Sequence, residues 1–183
     1  MTLVAFVALQ IVTLALLADF LGGLFHWAED TWGSPATPIW GPLFVAPNIG
    51  HHDRPTDILS VSPWRGVGLL FLAGTLVLLV AWTLGGVSWQ LWFFLCLASL
   101  NDLAHRWSHT PTVRLPWAVR KAQRFGLLQD SRHHWRHHRP PHMTNYCVLT
   151  PWLNPVLDRT RFWRALEAML KPLLGTPRAR DLA

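Results

Sequence analysis

Charged residues are scarce in this chain. They make up 14% of its 183 residues, whereas soluble domains carry about a quarter. The low fraction argues against a surface that is solvated all round, and 51% hydrophobic residues indicate that part of the protein lies in lipid. A single Tyr stands against 12 Trp, the side chain that favours the membrane–water boundary.

Cysteine is nearly absent as well. Cys96 and Cys147 are the only two, and neither belongs to a CxxC pair. The pattern therefore predicts two free, buried thiols rather than a disulfide framework or a thiolate metal site. No flavin or nicotinamide motif is visible, so any redox chemistry would take its electrons from a partner.

Basic residues are rare in the first half of the chain. Only Arg54 and Arg65, of 16 Lys and Arg, precede Arg106. The asymmetry is typical of a nucleic-acid-binding tail or of a cytoplasmic membrane face. The apolar segments upstream favour the membrane interpretation, without nucleic acid as a partner.

Three long apolar segments predict an all-α integral membrane fold. The expected transmembrane spans are approximately 2–26, 66–84 and 88–105, and Gly85-Gly86 makes a tight turn between the last two. A signal peptide is not expected, because the first segment has no basic start and runs directly into His26.

The loop charges predict the topology. The N-terminus and the turn at Gly85–Val87 carry no Lys or Arg. Because cytoplasmic loops are enriched in these residues, the N-terminus is expected outside and the histidine-rich region 106–183 in the cytoplasm. Interfacial helices are expected within 115–138 and 161–174, before a loose tail at 176–183. All ten histidines then fall on the cytoplasmic side or at its membrane boundary, which predicts that they form one site.

The histidine spacing is that of metal ligands. His105 and His109 share one helical face, and Asn101 extends it by a turn. His26 has the same i, i+4 relation to Asp30.

A second set of histidines is concentrated after residue 132. His134, His137 and His138 form an HxxHH motif, a face that can serve two adjacent metals, while His133 points off that face. Pro140 and Pro141 end the helix, so that His142 can fold back. The pair His51-His52 lies in the loop between the first two spans.

Two metal ions are favoured over one, because one tetrahedral zinc needs only four ligands. The lack of thiolates argues against iron–sulfur clusters, and the small number of carboxylates argues against magnesium or calcium. Haem would need only one or two of these histidines, so their number argues against haem. Imidazole binds both iron and zinc, so spacing alone does not separate them.

Several longer motifs resemble a known family, the plasmanylethanolamine desaturases with their Kua/CarF-type lipid desaturase domain. The matching segments are HWAEDTWGS (26–34), TPIWG (37–41), HH (51–52) with Pro55, HRWSHT (105–110), RHHWRHH (132–138), PH (141–142), WLN (152–154), FWRALE (162–167) and PRARD (177–181). In this chain the acidic Asp53 directly follows the histidine pair, one position earlier than in the family's HH-x-D-P.

The resemblance implies one lipid desaturase domain over 1–183 that uses two iron ions and O2 to form the vinyl ether bond of plasmalogens. Breaking an unactivated C–H bond needs a redox-active metal, which selects iron over zinc. The implied ligands are His26, His51, His52, His105, His109, His134, His137, His138 and His142, with His133, Asp30, Asn101 and Asp19 as further ligands or as residues that orient them. The implied partners are an ether phospholipid, the membrane and an external cytochrome b5- or ferredoxin-like electron donor.

Two alternatives stay open from the sequence. The same site can serve an acyl-lipid desaturase or a hydroxylase, and related members desaturate an acyl chain of phosphatidylglycerol. A non-catalytic metal-handling membrane protein is the other possibility, although a transporter would carry its ligands at mid-membrane depth.

Overall fold

The computed structural model describes residues 2–178, and its described part contains helices and no strand. The helices are α1 (Leu3–Trp32), α2 (Ala46–Asp53), α3 (Trp64–Thr83), α4 (Trp89–His109), α5 (Trp117–Arg124), α6 (Ser131–His134), α7 (Asn154–Arg159) and α8 (Phe162–Leu174). A π-helical turn (Gly41–Val45) leads into α2, and 3₁₀ turns lie at Asp57–Leu59 and Thr112–Arg114. The all-α prediction is confirmed.

Two helices are long and apolar enough to cross a membrane, Leu3–Trp32 and Gly66–Thr83. Most of their apolar side chains are exposed, an arrangement that suits lipid far better than water. The first helix continues six residues beyond the predicted span, so that it carries His26 and Asp30. A span over 88–105 stays a prediction, because the second half of α4 carries Asn101, Asp102 and the histidines.

The predicted helical hairpin is confirmed. Gly85 and Gly86 adopt φ values of 131° and 129°, which only glycine reaches without strain, and α4 packs against both α3 and α1. Arg106 then ties α4 to the loop before α3, because its guanidinium donates to the carbonyls of Ile58, Leu59 and Val61.

Two adjacent glycines let α1 approach its neighbours closely. A Cβ on Gly22 would lie 2.5 Å from Oδ1 of Asn101 in α4, and one on Gly23 would lie 2.6 Å from Sγ of Cys147. Cys147 belongs to a segment without helix or strand, residues 143–150, that we call the strap. The strap therefore lies directly on α1.

Asp19 fixes the end of the strap. Its buried carboxylate accepts from the backbone N–H of Leu149 (2.8 Å) and of Thr150 (3.0 Å) and from the Thr150 hydroxyl (2.6 Å). Three hydrogen bonds stabilise a carboxylate that would otherwise be costly to bury.

Within residues 2–178, the clusters of buried apolar residues lie around the strap. One cluster joins Trp27, Tyr146, Cys147 and Trp163, and a second joins Ala18, Ala104 and Leu149. Cys96 and Cys147 are both free thiols, as predicted, but only Cys147 is buried and Cys96 is partly exposed. The predicted surface helices correspond to α5, α6 and α8, and residues 179–183 of the expected tail lie outside the described part.

Candidate metal centre

Five histidines converge on one point, and we call them the five-histidine group. They are His51, His105, His109, His134 and His138, and each offers one ring nitrogen within 4.8 Å of the others. They come from α2, from α4 and from α6 with the turn that follows it. As the spacing predicted, His105 and His109 share one face of α4, and they meet His134 and His138 of the HxxHH motif there.

A second group contains a carboxylate, and we call it the aspartate group. It consists of His26, Asp30, His52 and His137, whose donor atoms also lie within 4.8 Å of one another. The Nε2 atoms of His52 and His137 each lie 3.6 Å from an Asp30 carboxylate oxygen, and that of His26 lies 3.9 Å away. Asp30 is 1% exposed, so three imidazoles surround a carboxylate in a site without bulk water.

The two groups are neighbours that share their supporting backbone. His51 and His52 are adjacent in α2 but belong to different groups, with ring centroids 6.5 Å apart. His137 and His138 are also adjacent in sequence and belong to different groups, with ring centroids 5.5 Å apart. Each pair of adjacent histidines thus serves two sites, which explains why histidine doublets recur in this sequence.

The spacing of ring nitrogens suits a first-row metal. Nε2 atoms approach to 3.0 Å in the pairs His51–His105, His134–His138 and His52–His137. Two ligands at right angles on one ion, each with a bond of about 2.1 Å, lie about 3.0 Å apart. The donor sets therefore fit two metal ions, one in each group.

Backbone carbonyls of the strap fix the tautomers of two ligands. Nδ1 of His26 lies 3.1 Å from the Tyr146 carbonyl oxygen, and Nδ1 of His137 lies 2.8 Å from that of Thr144. A carbonyl can only accept, so Nδ1 carries the proton and Nε2 keeps its lone pair toward the aspartate group.

Burial keeps these imidazoles neutral, the form that binds metals. Loss of hydration, together with the neighbouring histidines, lowers the pKa of His51 and of His138 to about 3. The pKa of His52 falls to about 2 for the same reasons. Burial also holds the pKa values of His134 and His137 well below 6.5.

Four predicted residues lie outside both groups. His142 stacks on His52 at 4.5 Å and its Nδ1 lies 3.1 Å from the His137 carbonyl oxygen, so it contacts the aspartate group from outside. Nε2 of His133 faces the amide of Asn154 at 3.2 Å.

The other two predicted residues support the fold around the site. Asp19 binds the strap, and the Asn101 amide donates to the Ala18 carbonyl (3.2 Å) and to carbonyls of its own helix. Among the described residues, neither side chain forms a hydrogen bond or an ion pair with a histidine.

Two amide side chains that the sequence analysis missed contact the site. Asn48 donates to Oδ1 of Asp30 at 2.7 Å, and it lies one helical turn before His51 and His52, a spacing that could have signalled it. The Gln129 amide lies 3.2 Å from Nδ1 of His134 and also binds the Val148 carbonyl. No sequence signal marks Gln129, because the strap brings it to the site.

Comparisons with known proteins agree with this site. The family model described as the lipid desaturase domain matches residues 15–180. The chain is 38% identical to plasmanylethanolamine desaturase 1 of Mus musculus over 190 residues, which cover 96% of this chain and 69% of that protein. It is 35% identical to a probable fatty acid desaturase of Acanthamoeba polyphaga mimivirus (94% and 87% covered). Identity to the plasmanylethanolamine desaturase of Myxococcus xanthus is 27% (91% and 62% covered). No solved structure matches.

Proposed function

The chain belongs to the lipid desaturase family, and from that premise we propose that it is a di-iron plasmanylethanolamine desaturase. Family membership makes it a membrane-associated oxidoreductase with a lipid substrate. The proposed reaction converts the alkyl ether of a phospholipid into the vinyl ether of a plasmalogen. The observation that carries the proposal is the pair of adjacent, buried donor groups, one with five imidazoles and one with three imidazoles and a carboxylate.

The electron balance requires both O2 and an external donor. Removing two hydrogen atoms from the alkyl chain yields two electrons and two protons, and a donor protein supplies two more electrons. Together with two protons from solvent, these reduce O2 to two water molecules. Two iron ions would supply the oxidising power for the C–H bonds, which redox-inert zinc lacks.

The chain's own residues hold the donor atoms in place. The five-histidine group and the aspartate group would each hold one ion, and the strap carbonyls keep His26 and His137 in the tautomer that ligation needs. Asn48 holds the Asp30 carboxylate among its three histidines. Because the donors are buried, bulk water is kept away from them, which would limit side reactions at the centre.

We further propose a multi-pass topology with the centre at the cytoplasmic side. Fewer positive charges before Arg106 than after it support this orientation. A cytochrome b5- or ferredoxin-like protein would then deliver electrons from the cytoplasm, because the chain shows no flavin or nicotinamide motif of its own.

An acyl-lipid desaturase is the second candidate. The mimivirus relative and relatives from Arabidopsis thaliana, at 32–33% identity, are named fatty acid desaturases. Identity does not rank the two substrates, because the plasmanylethanolamine desaturases, at 38% and 27%, lie on either side of the fatty acid desaturases. We place the ether lipid first because the Mus musculus protein is named a plasmanylethanolamine desaturase and is 38% identical over 96% of this chain.

Lipid mass spectrometry separates the two candidates. The protein is expressed in a host that contains ether lipids, next to a His138→Ala variant. New acid-labile vinyl ethers that the variant fails to make would support the proposal. A new acyl double bond would instead identify an acyl lipid as the substrate and would still support desaturation. No lipid change from folded, iron-loaded protein with a competent donor would refute the desaturase assignment for this chain.

A further inference from the structure

One exposed aromatic ring lies directly on the five-histidine group. Trp135 is 43% exposed, and its ring centroid lies 5.9 Å from that of His109 and 5.4 Å from that of His138. Both histidines belong to the five-histidine group. A single side chain therefore spans the distance between the protein surface and two candidate metal ligands.

Three exposed arginines lie within four residues of Trp135 in the sequence. Arg132, Arg136 and Arg139 are all exposed, and within residues 2–178 none of them forms a salt bridge. The one carboxylate nearby in sequence, that of Asp130, accepts from the backbone N–H of His133. The surface around Trp135 is therefore strongly positive, and acidic groups of a partner protein would balance this positive charge.

This surface lies on the side of the centre away from the apolar helices. His109 is the last residue of α4, and at about 1.5 Å per residue it lies about 14 Å beyond Leu100, where the apolar part of α4 ends. Trp135 packs against that end. A lipid chain that approaches along α1 and α3 would reach the centre from the opposite side.

We propose that Trp135 with Arg132, Arg136 and Arg139 is the docking surface for an acidic one-electron donor protein. This inference rests on the proposed function. A protein donor cannot reach the buried ligands, so its cofactor must stop at the surface, and Trp135 shortens the remaining gap. In each encounter the donor is oxidised by one electron and a metal ion of the centre is reduced, with no bond made or broken.

The composition suits such a complex. Trp and Arg are the residues most enriched at the centres of protein interfaces. Electron-transfer complexes are small and short-lived, and charge attraction mainly raises their rate of association. Trp135 and the three exposed arginines near it supply residue types of this kind.

The first test measures reduction of the iron-loaded protein in phosphatidylcholine nanodiscs by stopped flow. The donor is a pre-reduced acidic [2Fe–2S] ferredoxin, with the haem domain of cytochrome b5 as a second donor. The test variant combines Arg132→Gln, Arg136→Gln and Arg139→Gln. The matched control combines Arg114→Gln, Arg120→Gln and Arg124→Gln, three equally exposed arginines around α5.

The test variant should be reduced about tenfold more slowly than wild type at low salt, because electrostatic steering raises association rates by such factors or more. The difference should vanish near 1 M salt, where the screening length is about 3 Å. The α5 control should behave as wild type. Reduced phenazine methosulfate, a small uncharged reductant, should reduce all three proteins at the same rate.

Trp135 is tested at saturating ferredoxin. Trp135→Leu should lower the limiting rate several-fold without changing its salt dependence, and Trp135→Phe should recover part of the loss. A titration of oxidised ferredoxin onto metal-free protein gives a readout without iron: the triple Arg132 variant should bind more weakly than the α5 control.

The outcomes separate this inference from the proposed function. Protein that holds no reducible iron would refute both. Reducible iron with equal rates and equal ferredoxin binding for the two triple variants would refute the docking surface alone. Loss of binding to phosphatidylglycerol vesicles in the Arg132 triple variant, with unchanged reduction rates, would place this surface on the membrane and would also overturn the inference.

Discussion

The two donor groups lie side by side but differ in charge. The aspartate group contains the carboxylate of Asp30, whereas the five-histidine group contains only neutral imidazoles. A carboxylate offsets part of an ion's charge, and imidazoles offset none. We therefore expect two unequal metal sites, and a metal ion of higher charge should bind more tightly in the aspartate group than in the five-histidine group.

The groups also differ in how their ligands are oriented. In the aspartate group, backbone carbonyls of the strap bind His26 and His137. In the five-histidine group, Gln129 contacts His134, and the Nδ1 atoms of His51, His109 and His138 have no hydrogen-bond partner among the described residues. Orientation by backbone survives side-chain substitution, so the five-histidine group should be the more easily disturbed of the two.

The largest effect should come from removing one histidine of an adjacent pair. His137→Ala should empty the aspartate group and His138→Ala the five-histidine group, and either loss should abolish desaturation. Iron counting by mass spectrometry on purified protein should then fall from two toward one. If both substitutions instead removed all iron, the two groups would act as one inseparable site and the comparison would fail.

A smaller effect is expected from neutralising the carboxylate. Asp30→Asn keeps the shape but removes the charge, so metal affinity in the aspartate group should fall, most of all for the ferric ion. Isothermal titration of the protein with metal should show the loss in one of its two binding phases. His133→Gln is a suitable control, since His133 lies outside both groups.

The two amide contacts test the orientation of ligands. Gln129→Ala and Asn48→Ala each remove one partner of a ligand, a change that reduces metal affinity or activity by about 10–100-fold. In the metal titration, Gln129→Ala should weaken the binding phase of the five-histidine group, and Asn48→Ala should weaken the binding phase of the aspartate group. Equal effects on both phases would mean that these residues stabilise the whole fold instead.

The smallest effect should come from the contact between α1 and the strap. Gly23→Ala places a Cβ against Cys147, 2.6 Å from its Sγ and 3.1 Å from its backbone N, and should displace the strap that carries the carbonyls of Thr144 and Tyr146. We expect a loss of about 1–3 kcal/mol in stability, as for other overpacked sites, seen as a lower melting temperature. Gly50→Ala in α2 is the matched control, because nothing lies within 4 Å of a Cβ there.

Part of this arrangement could be predicted from local sequence patterns. The apolar runs predicted α1 and the α3–α4 hairpin, and the i, i+4 spacing of His105 and His109 predicted a shared ligand face. These features depend on residues a few positions apart, so helical geometry alone determines them. The choice of iron came from the family resemblance and is still a prediction.

Asp19 and Asn101 show the limit of such patterns. The helical face of α4 suggested a role beside the metals for Asn101, and the family resemblance implied one for Asp19. The structure directs Asp19 to the strap and Asn101 to the Ala18 carbonyl. Spacing along a helix gives the face of a residue, and the neighbouring chain determines what that face meets.

The sequence by itself determined that this chain is helical, that it has long apolar segments suited to lipid, and that its histidines have the spacing of metal ligands. Only the tertiary structure divided those histidines into two groups, separated His51 from His52 and His137 from His138, and brought Gln129 and the strap carbonyls to the ligands. The physical reason is that each group assembles from α1, α2, α4 and the turn after α6, whose relative positions depend on packing between residues up to about a hundred positions apart along the chain.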